Sequence, residues 1–173
     1  MNEVLLEIVI IFLLIVGNGI FAMTEIAVVS ARKERLRALA SKGSARARAA
    51  VGLAESPNRF LATVQIGITL VGILAGAYGG ATIAEKLQKG LATMPLLAPH
   101  AGSISVGIVV AVITYFSVVL GELVPKRFAL AKPEGIAIMM ARPMRILSAV
   151  AHPLVRFLEI STDSLLRLIG FKG

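Results

Sequence analysis

Residues 102–126 read GSISVGIVVAVITYFSVVLGELVPK, and this stretch decides what kind of protein the chain is. From Gly102 to Gly121 there are 20 residues without a charge, and Glu122 follows at once. A helix rising 1.5 Å per residue needs about 20 mainly apolar residues to cross a hydrocarbon core. Two more runs have the same character. Ile8 to Ala31 is interrupted only by Glu25, and Phe60 to Ala84 carries no charge at all. Membrane spans are therefore predicted at about 8–31, 60–84 and 102–124. Composition agrees: 57% of residues are apolar and 16% charged, where a soluble domain has about a quarter charged. Mean hydropathy is +0.85. The reading is an all-α membrane protein. The first run lacks the basic leader of a signal peptide and has Glu3 and Glu7 instead, so it counts as a span.

Past Pro125 the pattern changes. Ile136 to Ala141 is apolar, but Arg142, Pro143, Arg145, His152 and Pro153 interrupt what would be a fourth span. Two arginines at mid-membrane are costly unless they pair or reach the interface. Residues 134–155 are accordingly expected as broken juxtamembrane helices, at the membrane surface or packed against the bundle. Residues 156–171 are expected as an amphipathic helix, with Leu158, Leu165, Leu166 and Ile169 on one side and Glu159, Asp163 and Arg167 on the other. The whole chain, 1–173, reads as one membrane domain.

Basic residues set the orientation. Eight lie between Arg32 and Arg59, two (Lys86 and Lys89) between spans two and three, and eight after span three. Positive residues stay inside, so the amino terminus is expected outside and the carboxyl terminus in the cytoplasm, in the cell (inner) membrane. The Arg32–Arg59 segment is then a topology anchor attracted to the anionic lipid bilayer. Nucleic acid is not an expected partner, because no aromatic residue is interleaved until Phe60.

Other chemistries lack their residues. There is no cysteine, and only His100 and His152 among histidines, so thiolate and multi-histidine metal sites are excluded. No phosphate loop, nucleophile elbow or metalloprotease helix is present, and no enzyme activity is expected. Oxygen ligands, however, gather at one depth. Glu25 ends span one and Glu122 ends span three, both running inward, while Thr63, Gln65 and Thr69 of span two reach that level from the other direction. Pro125 has no N–H, so it cannot bond the Gly121 carbonyl and leaves that oxygen beside the Glu122 carboxylate. Glu122 is also opposed by the helix dipole and needs a compensating cation or water. Such half-helix ends bind cations in transporters. Thr24 offers a hydroxyl, either as a ligand or bonded back to its own helix. Asn18 offers an amide, either as a ligand or as a link between helices. Hard cations take such oxygens. Gly72, Gly76 and Gly80 recur every four residues on span two, suited either to packing within the chain or to dimerisation.

Thr24-Glu25-Ile26-Ala27 with Ser30, then Val64-Gln65-Ile66-Gly67-Ile68-Thr69-Leu70, then Gly121-Glu122-Leu123-Val124-Pro125-Lys126, together resemble the membrane domain of the CorC/CNNM family. The similarity extends through Pro133-Glu134 and Pro143 to Leu168-Ile169-Gly170, and the Gly-Glu-Leu-Val-Pro-Lys block is its most specific part. The resemblance implies three spans, a cytoplasmic juxtamembrane helical belt and a homodimer. It also implies an inward-facing acidic cavity that binds Mg²⁺ for export, coupled to sodium (Na⁺) influx. Carried over by position, the metal ligands are Thr24, Gly121 and Glu122. Many relatives have Gly-Asn-Asn in the second span where this chain has Gly67-Ile68-Thr69, and Thr69 is the substitute. Glu25, Asn18 and Gln65 are left as cavity or coupling-ion residues. Relatives continue into a nucleotide-binding CBS pair and a further cytoplasmic regulatory domain, which are expected to lie outside this chain. The alternative is a dimeric membrane anchor and Mg²⁺ sensor that regulates another transporter.

Overall fold

A computed structural model describes residues 2–170. Among them there are helices and no strand. Helix α1 spans Asn2–Ser30, α2 Lys33–Ser41, α3 Ala45–Glu55 and α4 Pro57–Tyr78. A π-helical turn, Gly79–Ile83, joins α4 to α5 (Ala84–Leu91). A short 3₁₀ turn at Ala98–His100 leads into α6 (Ala101–Val118), and a second π turn, Val119–Leu123, joins it to α7 (Val124–Ala131). Helix α8 spans Pro133–Leu168. Three stretches are long and apolar enough to cross a membrane: Val4–Ser30, Pro57–Tyr78 and Ala98–Ala131.

The chain divides into two compact units, one made of the residues up to Met23 with Gly67–Ala131, the other of Thr24–Ile66 with the residues from Lys132 on. In the first unit, close approaches occur at single glycines. A methyl group on Gly19 would lie 2.9 Å from Pro125 Cγ and 3.1 Å from the Leu120 carbonyl oxygen, and one on Gly67 would lie 2.7 Å from the Phe21 ring. One on Gly79 would overlap the Ile113 side chain. The glycine repeat, suited either to packing within the chain or to dimerisation, makes no such approach, because nothing lies within 4 Å of a methyl group at Gly72, Gly76 or Gly80. These three glycines instead line an open groove of about 220 Å³ with Val110, Ile113 and Thr114. At another edge of the unit, Lys86 Nζ donates to both Glu7 oxygens at 2.9 and 3.0 Å.

The second unit is built on α2, α3 and α8. Ser44 caps α3 by accepting from the Ala47 N–H at 3.2 Å, which satisfies one of the donors a helix start leaves unpaired. Glu134, in the first turn of α8, accepts from the Arg32 N–H at 3.4 Å. Helix α8 buries Ala137, Ala141, Met144, Ser148 and Val155, a stripe spaced by three, four and seven residues as one helix face requires. Leu36, Ala47, Ala50 and Leu53 complete the core.

Two expectations are corrected here. The stretch expected as broken helices, 134–155, and the amphipathic helix expected after it form one 36-residue helix with Pro143 and Pro153 inside. Each proline removes one backbone donor, yet both rings are exposed and neither displaces the packed stripe. Phe171, the last residue of the expected amphipathic helix, lies outside the described residues. Span three, expected to stop at 124, runs through Pro125 to Ala131, because the π turn absorbs the proline. The Val124 N–H bonds the Val119 carbonyl five residues back, so the helix carries on past the proline, which itself has no N–H to donate.

Candidate cation site

The π turn Val119–Leu123 presents the residues to which the sequence drew attention. Gly121 is buried, and a methyl group there would lie 3.2 Å from Asn18 Nδ2 and 3.2 Å from the Ile15 carbonyl oxygen. A side chain at this position would crowd α1, which would have to give by a few tenths of an ångström. The Gly121 carbonyl, expected to be unclaimed, accepts a hydrogen bond from Asn18 Nδ2 at 3.1 Å. The other half of that amide, Asn18 Oδ1, is buried with no hydrogen-bond partner. Turning the amide over would set two oxygens against each other, so the orientation is fixed by the carbonyl. A buried, unpaired amide oxygen costs about 1–3 kcal/mol, and a cation is one species that would relieve it.

Glu122 is half-buried, and Lys126 Nζ lies 2.6 Å from its Oε1, one turn along the helix. The side chains are 47% and 31% exposed respectively, which makes this a screened pair worth at most about 1 kcal/mol. The signal for the pair was the four-residue spacing of an acid and a following base on a helix. Gly19 and Pro125, which meet beside the turn, were also missed as a contact.

The remaining expected residues are placed as follows. Thr69 is exposed on α4, and among the described residues no hydrogen bond joins it to Asn18, Gly121 or Glu122. Thr24, Glu25 and Gln65 belong to the second unit. There Thr24 is fully buried, Glu25 half-buried and Gln65 exposed. Among the described residues, no three acidic, histidine or cysteine side chains are grouped to hold a metal ion. A cation at this turn would be met by neutral oxygens and one carboxylate.

The sequence matches the cyclin M transmembrane N-terminal domain over residues 8–173. It is 54% identical over 98% of its length to the UPF0053 protein sll0260 of Synechocystis. It is 32% identical over 90% of its length to the polyamine export protein of Haemophilus influenzae, and 30% identical over 94% to that of Salmonella typhimurium. The chain spans 38% of the first of these relatives and 36% of the other two.

Proposed function

The chain belongs to the cyclin M transmembrane domain family, CorC/CNNM, and from that premise we propose that it is the membrane domain of a cation exporter whose cargo is Mg²⁺, coupled to Na⁺ moving inward. The observation that carries this reading is the unpaired, buried Asn18 Oδ1 next to the Gly121 carbonyl. Magnesium requires oxygen ligands in near-octahedral array and gives up its water reluctantly. Asn18, Gly121 and Glu122 supply an amide oxygen, a carbonyl oxygen and a carboxylate, and Thr69 of the same unit is the candidate hydroxyl. Asn18 acts as a two-state element: its N–H holds the carbonyl when no ion is bound, and its oxygen turns to the ion on loading. Lys126 competes for Glu122, which keeps the site weak enough to release its cargo, as conduction requires. Glu25 and Gln65 serve the coupling ion. The domain works as a homodimer in the cell membrane with its amino terminus outside.

A second reading is favoured by the alkylammonium already on Glu122 at 2.6 Å and by the relatives named as polyamine export proteins. An organic polycation would replace Lys126 on the carboxylate and donate to Asn18 Oδ1. Liposomes carrying the purified protein separate the readings. Mg²⁺ flux that rises with a sodium gradient supports the first, and diamine flux without Mg²⁺ flux supports the second. Mg²⁺ binding with neither flux would make the domain a membrane anchor and sensor.

A further inference from the structure

The second unit holds a cavity of about 500 Å³, within the range of small-ligand sites, in which the cation-transport reading has no part. Three arginines line it from three helices, Arg48 on α3, Arg59 on α4 and Arg145 on α8, with His152, Ser56 and Ser148. No acid lines it. Glu55, at the end of α3, is held by Arg37 at 2.8 Å. Among the described residues no salt bridge uses Arg48, Arg59 or Arg145. Convergence of unpaired like charges is unfavourable unless an anion sits among them, and the planar guanidinium fork matches phosphate oxygens.

The cavity also has a definite level. Arg59 and Phe60 belong to the start of α4, the helix that runs Pro57–Tyr78 and is apolar enough to cross a membrane, and Ser56 directly precedes it. Phe60, 2% exposed, and Leu53 give the cavity an apolar floor. Beneath it Thr63 Oγ1 bonds the Arg59 carbonyl at 2.9 Å and the Ser148 hydroxyl at 3.2 Å, which ties α4 to α8. A basic, apolar-floored pocket at the first turn of a span lies where lipid phosphates are found.

We propose that this cavity binds the phosphate-bearing headgroup of an anionic phospholipid, gripped by Arg48, Arg59 and Arg145. Arg48 and Arg59 belong to the basic segment and Arg145 to α8, and it is their meeting at one cavity that distinguishes the site from general attraction to that segment. Native mass spectrometry of the detergent-purified protein, titrated with phosphatidylglycerol or phosphatidylcholine, tests it. The wild type retains phosphatidylglycerol preferentially, and Arg48→Gln with Arg145→Gln weakens that retention by about tenfold. Lys33→Gln with Lys42→Gln removes the same charge from the same unit outside the cavity and leaves retention unchanged. Equal loss in the two double variants would reduce the effect to diffuse attraction and overturn the site. So would wild-type retention in the arginine variant. Displacement of the lipid by inorganic phosphate at comparable concentration would make the source a soluble anion and overturn the lipid assignment. All four side chains are exposed, so the variants fold, and an unchanged melting temperature in phosphatidylcholine verifies this.

Discussion

At Asn18 the two halves of one amide are treated differently, the nitrogen bonded to Gly121 and the oxygen buried alone. Asn18→Leu keeps the volume but strips both functions, leaving the Gly121 carbonyl without this donor. Losing that donor and losing the unpaired amide oxygen oppose each other, so the expected result is a stability change of under about 1 kcal/mol together with loss of Mg²⁺ binding by calorimetry. Glu122→Gln keeps shape and removes charge, so it should abolish Mg²⁺ binding and flux while expression stays normal. Wild-type affinity in that variant would dismiss the site. Lys126→Gln works in the opposite direction. It removes the internal competitor, and Mg²⁺ should bind about two- to fivefold more tightly, the span expected of a screened ion pair. Gly121 and Glu122 were legible in the sequence because an acid ending an apolar run, with a proline three residues on, is a local signal. Asn18 was legible as a possible link between helices, and it bonds Gly121; its partner was not, since nothing local fixes how α1 is rotated against residues 119–123. Thr69 was named from a motif position, and its exposed setting on α4 gives that choice no support from packing.

Elements carry a different lesson, because here hydropathy reads length well and contact poorly. The three spans were visible as uncharged runs. Neither π turn was, since a π turn depends on an extra residue being absorbed against a neighbouring helix. Prolines were read as breaks in α8, and the buried stripe Ala137–Val155 outweighed them. The glycines separate the same two kinds of information. Spacing pointed to Gly72, Gly76 and Gly80, whereas the close contacts are at Gly19, Gly67 and Gly79. Gly19→Ala would meet backbone oxygen and the Pro125 ring, which cannot swing aside, and is expected to destabilise by about 1–3 kcal/mol. Gly72→Ala with Gly76→Ala should leave the melting temperature of the monomer unchanged. If the open groove is where two copies meet, that double variant lowers the dimer fraction measured by crosslinking in mild detergent. An unchanged dimer fraction would move the interface elsewhere.

For the whole molecule the open quantity is sidedness, and the chain is suited to measuring it because it has no cysteine to mask a new one. Helix α8 is the element on which the answer turns. At about 1.5 Å per residue its 36 residues are long enough to cross a membrane. Its composition argues otherwise. Arg142, Arg145, Arg156 and Arg167 are distributed along it and are all exposed, and it is not among the three stretches apolar enough to span. Four exposed guanidiniums in hydrocarbon would each cost several kcal/mol by insertion scales, about 2.5–3.5 at the helix centre. Helix α8 should therefore stay on the same side as α2 and α3, with which it forms the second unit. Single cysteines at Ser41, Ala98 and Ser164 test this in intact cells with an impermeant thiol reagent. Ala98→Cys, in the turn before α6, should label from outside. Ser41→Cys, after α2, and Ser164→Cys, near the end of α8, should label only after permeabilisation. Labelling of Ser164→Cys from outside would mean that α8 crosses. It would then carry Arg156 and Arg167 to the face that the balance of eight, two and eight basic residues assigns to the outside.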